Sequence, residues 1–189
     1  MAAVLMALPG VAMAEEWTDF YVKLYGGATA EDAQFAGVQD WDLERGHFFG
    51  AALGVSTPVP GLSLEIDLTS SRAFYVGEQN ALEATLGTAN AVYSLPVNES
   101  FSVYGGAGLG YAFVLDDCIV SDVYDSSGSA AAGQVFIGAD LTVAEGLSFF
   151  GEARYQTALG RVTVTDNLPD TYGVDYARTA LLAGIKISL

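Results

Sequence analysis

Residues 61–70 read GLSLEIDLTS, with Leu62, Leu64, Ile66 and Leu68 at every second place and Ser63, Glu65, Asp67 and Thr69 between them. Successive side chains of a β-strand point to opposite faces, so this segment is a strand with one oily and one acidic face. Two arrangements accommodate such a strand. In a soluble protein the leucines enter a dry core and the acids meet water. In a membrane barrel the leucines meet lipid and the acids point inward.

The rest of the chain repeats the pattern. Eight strands are predicted: about Asp19 to Gly27, Gly46 to Thr57, Leu62 to Phe74, Leu82 to Leu95, Phe101 to Val114, Gly133 to Val143, Leu147 to Thr157 and Val174 to Leu189. Most exceed the usual globular strand of about 5–6 residues and match a tilted strand crossing a bilayer, about 9–11 residues. The connections after strands two, four and six are short: TPVPG, PVNES and AEG. Those after strands one, five and seven, about residues 28–45, 115–132 and 158–173, are long and polar, and the one near 75–81 is modest. Short turns at one end and long loops at the other are the signature of outer-membrane barrels. Soluble lipocalin-like barrels lack it.

The last segment, TALLAGIKISL, alternates Leu181, Ala183, Ile185, Ile187 and Leu189 against Leu182, Gly184, Lys186 and Ser188. Pairing it with the first strand removes the edge that an open sheet would leave. A faint echo links GLSLEIDL (61–68) with GLSFFGEA (146–153), and TANAVYSL with LAGIKISL. A four-plus-four duplication and the shared physics of membrane hairpins both account for it. The echo places Ala89, Ala91, Tyr93 and Leu95 outward and Asn90 inward.

Carrying the alternation through every strand places Lys23, Glu65, Asp67, Asp140, Glu152, Arg154, Arg178 and Lys186 on one face. Four acids and four bases do not suit a dry ligand cavity, because buried charges must be paired. The interior of a closed eight-stranded barrel is just wide enough for side chains to fill it, and there the signs cancel. Only seven Lys and Arg occur in the chain, against 23 Asp and Glu. Placing four of those seven on the acidic face argues for pairing rather than solvation. The same acidity makes nucleic acid a poor partner. A lone cysteine, Cys118, excludes an internal disulfide and fits a secreted chain.

Residues 1–14, MAAVLMALPGVAMA, form a short uncharged apolar run ending in a small-x-small site. They read as a signal peptide, with residues 15–189 as the barrel domain. The run is too short, and too interrupted by Pro9-Gly10, for a transmembrane helix.

The hairpin GADLTVAEGLSFFGEARYQ (138–156), the glycine-rich strand YGGAGLGYAF (104–113) and the closing strand carry a resemblance. The sequence resembles the small eight-stranded outer-membrane barrels of Gram-negative bacteria, the OmpA-like and OmpX-like family, over about residues 17–189. The resemblance implies an all-β, antiparallel, up-and-down transmembrane barrel in the cell outer membrane, with extracellular loops and both termini periplasmic. It implies an interior charge network that includes Glu65, Asp140, Glu152 and Arg154. It further implies a terminal assembly signal, here Leu181, Ile185, Ile187 and Leu189, read by the barrel assembly machinery. That signal usually ends in an aromatic residue, and Leu189 departs from it.

His47 is the only histidine, and acyl-transfer chemistry of the Ser-His-Asp kind would need it as the base. No motif places a serine or an acid with it, so a rim histidine at lipid headgroups is the expectation and no enzyme is predicted. Asp116, Asp117, Asp122 and Asp125 are weak metal candidates, since carboxylate oxygens suit Ca²⁺ or Mg²⁺, but their spacing fits no EF-hand. Tyr21, Tyr25, Tyr93, Tyr104, Tyr111 and Tyr155 are placed near strand ends, where outward-pointing rings form interfacial girdles. No cofactor is expected. The expected partners are outer-membrane lipid and lipopolysaccharide, the assembly machinery and an unidentified extracellular ligand. The function expected is a structural or surface-interaction role through acidic loops, not an open porin. The alternatives are a channel for small or hydrophobic solutes, a lipid-modifying enzyme, and a soluble lipocalin-like binder.

Overall fold

The computed structural model describes residues 19–35, 45–76, 81–117, 126–160, 162–165 and 171–189. Its strands are β1 (Phe20–Phe35), β2 (Gly46–Ser56), β3 (Leu62–Phe74), β4 (Ala81–Pro96), β5 (Phe101–Asp117), β6 (Ser126–Ala144), β7 (Leu147–Ala158), β8 (Val162–Thr165) and β9 (Thr171–Ser188). Each of β1 to β7 pairs antiparallel with its successor, β7 pairs with β9, and β9 closes on β1. The short β8 sits between β6 and β9, in line above β7, and pairs with both. The result is a closed eight-stranded antiparallel barrel whose seventh position is shared by β7 and β8.

Hydrogen-bonded partners can be followed round the wall. Phe20 leads to Val55, Leu64, Ala91, Ala107, Val135, Tyr155 and Thr179 in turn, and Thr179 pairs with Ala30. The path returns to β1 ten residues beyond its start. Such a stagger requires the strands to lean from the barrel axis, by roughly 35–45° for barrels of this kind.

The three turns at one end are tight for identifiable reasons. Gly61 and Gly146 adopt φ of 80° and 72°, a region that costs glycine nothing. At Gly61 a Cβ would also lie 2.7 Å from the Ser94 carbonyl oxygen. In the third turn the Asn98 side-chain oxygen accepts the N–H groups of Ser100 and Phe101, each at 2.9 Å, so the side chain takes the place of a backbone turn.

Several strands run further than the alternation indicates. β1 reaches Phe35 rather than Gly27, β6 begins at Ser126 rather than Gly133, and β8 lies inside the segment read as the loop 158–173. Residues 28–35 (ATAEDAQF) and 126–132 (SSGSAAA) lack an apolar face, so they carry no period-two signal. Backbone pairing to the neighbouring strand carries the ladder past that limit.

The outer face is an apolar belt: Leu24, Leu53, Ile66, Leu68, Leu109, Ile137 and Leu181 are all at least half exposed. The core lies in the lumen. Towards the loop end it is apolar, with Leu82, Leu86, Val114 and Tyr176 packed around Ala84, Ala112 and Ala132. Towards the turn end aromatic rings and charges share the space, including Tyr25, Phe48, Tyr104, Phe136 and Phe150.

Candidate functional site

The acids of GLSLEIDLTS point into the lumen. Glu65 and Asp67 are 2% and 1% exposed, whereas Ile66 between them is 70% exposed on the outside. Lys23 on β1 meets Glu65 Oε1 at 2.5 Å, and Tyr21 donates its hydroxyl to the same oxygen at 2.7 Å. Arg154 on β7 holds two carboxylates: Nη1 lies 2.9 Å from Asp67 Oδ2, and Nε lies 2.7 Å from Glu152 Oε1. Tyr25 donates to Asp67 Oδ1 at 2.6 Å, and Tyr104 donates to Glu152 Oε2 at 3.0 Å. Lys186 reaches Asp140 Oδ2 at 3.1 Å and is the most open member of the set. Lys23 and Lys186 are direct cross-strand neighbours, a like-charge placement that is unfavourable by itself. Glu65 and Asp140 offset it, and the Tyr21 ring stands 5.6 Å and 4.9 Å from the two ammonium groups.

Nearer the loop end Arg178 is almost fully buried, and among the described residues its hydrogen-bond partners are neutral. Nε donates to Gln156 Oε1 at 2.6 Å, Nη1 to Ser71 Oγ at 2.6 Å and to the Ala84 carbonyl at 3.3 Å, and Nη2 to Thr69 Oγ1 at 2.6 Å. Gln156 passes the chain on to Gln134, which donates to Thr88 and Asn90. The Arg178 guanidinium lies 4.8 Å from the Phe48 ring centroid. Ring stacking and a fan of oxygen acceptors suit the planar, delocalised guanidinium.

The strands that supply these groups stand on opposite walls. β7 lies four positions round the ring from β3, and β9 lies four from β4. Arg154 and Arg178 therefore bridge the full width of the lumen. Glycines make room for the rings: a Cβ on Gly138 would stand 2.5 Å from the Tyr104 ring, and one on Gly54 would overlap the Tyr21 ring.

The six tyrosines near strand ends divide between the two faces. Tyr21, Tyr25 and Tyr104 are buried in the lumen, while Tyr93, Tyr111 and Tyr155 are about half exposed on the outside, where girdle rings are expected. The signal was in the parity: Tyr21 and Tyr25 share the face of Lys23.

The sequence as a whole matches the model of the outer membrane protein beta-barrel domain over residues 1–179. The chain belongs to this outer-membrane barrel family. Among curated proteins none matches it in sequence. Among solved structures it is similar to Neisserial surface protein A, with 19% identity over 89% of this chain and 96% of that one and a TM-score of 0.62. It is also similar to the outer membrane protein OprG from Pseudomonas aeruginosa, with 14% identity over 90% and 95% and a TM-score of 0.58. A third is the outer membrane protease OmpT from Escherichia coli, with 11% identity over 95% and 99% and a TM-score of 0.53. At these identities the likeness shows the fold, and a fold shared with a protease does not fix an activity.

In this outer-membrane barrel His47 points outward at the loop end, and its rung partners are Ala28 and Arg72. Neither of these direct partners is a serine or an acid; Glu83 on β4 follows Arg72 along the rung. Leu181, Ile187 and Leu189 are exposed on the outer face of the closing strand and its end, with Ile185 partly exposed among them. Of the metal candidates, Asp122 and Asp125 lie outside the described residues, as does the proposed leader, 1–14. Asp116 and Asp117 end β5, and their side chains lie outside the description too. Among the described residues no three His, Cys, Asp or Glu side chains converge as metal ligands.

Proposed function

We propose that this protein is an integral outer-membrane barrel with a closed lumen, acting in a structural or surface-interaction role through its polar loops rather than as a porin or an enzyme. In this reading the loop end faces the exterior and both termini face the periplasm. The belt is bathed by outer-membrane lipid and lipopolysaccharide. The closing strand, with Leu181, Ile185, Ile187 and Leu189, is what the assembly machinery reads, and an extracellular ligand engages the loops.

One observation carries the proposal. Arg154 and Arg178 cross the lumen at two levels, Arg154 to Asp67 on β3 and Arg178 to the Ala84 carbonyl on β4 and to Ser71 and Thr69 on β3. Parting such buried groups leaves charges without partners in a low-dielectric space, which is costly. Solute passage would require this at both levels.

The test is conductance of the refolded protein in a planar lipid bilayer. No steady conductance is expected. Stable open channels in the wild-type protein would overturn the closed-lumen reading and favour the solute-channel alternative. Replacing residues 36–44 between β1 and β2, or 118–125 between β5 and β6, by a short turn should abolish surface interactions while leaving a folded barrel.

A further inference from the structure

Six of the seven Lys and Arg fall among the described residues, and four of them, Lys23, Arg154, Arg178 and Lys186, are in the lumen. The other two, Arg45 and Arg72, stand together on the outside, beside the only histidine. Arg45, His47 and Phe49 are exposed while Gly46 and Phe48 between them are buried, so the three share the outer face. Across the ladder His47 pairs directly with Arg72 on β3, close enough for their side chains to act on one ligand.

The patch lies where the belt ends. Phe49, one outward step below His47, is 61% exposed, and the Arg72 guanidinium stands 5.4 Å over the Phe74 ring. The Arg72 side chain is 43% exposed and is held at 3.1 Å by Glu83 on β4. Cations on a lipid-facing wall are tolerated only near the interface, so the patch sits at headgroup depth. In a chain of net charge −16, two arginines and a histidine share this outer face, and among the described residues Glu83 is the acid on the Arg72 rung.

We propose that Arg45, His47 and Arg72 form a phosphate-binding site on the outside of the wall, occupied by the phosphorylated headgroup of an outer-leaflet lipid. This rests on the reading above that the loop end faces the exterior. The chemistry is charge complementarity: guanidinium groups bind phosphate oxygens through paired N–H donors. Glu83 fixes the direction of Arg72, with Phe49 on the belt side of the site and Phe74 on its loop side. The belt continues directly below, where the chains of the same lipid would lie.

The experiment uses the full refolded chain in phosphatidylcholine nanodiscs. They are titrated with bisphosphorylated lipid A, with dephosphorylated lipid A and with inorganic phosphate, and bound lipid is read by native mass spectrometry. The wild-type protein is expected to prefer the phosphorylated lipid by at least about ten-fold, less so as salt rises. Arg45→Gln with Arg72→Gln should abolish that preference, and Arg72→Lys should retain part of it. Equal binding of the two lipids, or a preference unchanged in the double variant, would overturn the site. Inorganic phosphate competing as strongly as lipid A would overturn the lipid assignment. An unheated gel run beside a boiled one reports folding. Loss of the shift in the double variant alone transfers the decision to Arg72→Lys, whereas its absence in the wild-type protein would count against the barrel reading itself.

Discussion

Arg154 on β7 and Asp67 on β3 face each other across the whole lumen with 2.9 Å between Nη1 and Oδ2, their side chains 2% and 0% exposed. Arg154 also holds Glu152, so one guanidinium compensates two buried carboxylates. Arg154→Met should therefore destabilise the barrel by about 3–5 kcal/mol, the cost of leaving buried charge without a partner. Urea unfolding in lipid vesicles measures it. A change under about 1 kcal/mol would mean that water enters the lumen and solvates the acids.

Arg178 behaves differently because its described partners are neutral. Arg178→Met strands the Gln156, Ser71 and Thr69 oxygens, each unsatisfied group costing about 1–3 kcal/mol. Ser71→Ala, which removes only one acceptor, should cost less. The same unfolding assay separates the two, and equal losses would contradict the fan of hydrogen bonds.

The interior glycines are seats for rings, not relics of a loose sequence. Gly138→Leu puts a side chain where the Tyr104 ring lies, which breaks the bond to Glu152. An overpacked core costs about 1–3 kcal/mol, and the buried acid loses a donor in addition. Gly151→Ala, whose Cβ would stand 4.0 Å from the Leu182 carbonyl oxygen, should be close to neutral. Refolding yield followed by gel shift gives the comparison.

Removing both crossing arginines should open the lumen. Arg154→Ala with Arg178→Ala is expected to give measurable conductance in a planar bilayer where the wild-type protein gives none. A silent double variant would show that the apolar layer around Leu82, Leu86 and Tyr176 closes the barrel by itself.

The wall was readable from residues 61–70 onward because an apolar belt forces a strict alternation, and a one-residue slip would exchange lipid and lumen. Lys23, Glu65 and Asp67 could be placed inward by counting. Their partners could not. Which base meets which acid depends on the ten-residue stagger of the closed ladder, and that stagger brings Arg154 to Asp67, 87 residues away in sequence. That Tyr21, Tyr25 and Tyr104 donate to buried carboxylates was not legible, because a tyrosine near a strand end suits both an aromatic girdle and a bond to a buried acid. The upper parts of β1 and β6 were missed because they rise beyond the belt, where neither face needs to be apolar.

The central claim is that the leucines of GLSLEIDLTS meet lipid while its acids face the lumen. The most direct measurement places tryptophan at residue 66 (Ile66→Trp), with Trp17 and Trp41 replaced by phenylalanine, in vesicles whose acyl chains carry bromine. Strong quenching by the brominated chains, with little effect of aqueous iodide, is the predicted result. Quenching by iodide and indifference to the brominated chains would turn the oily face away from lipid and contradict the account.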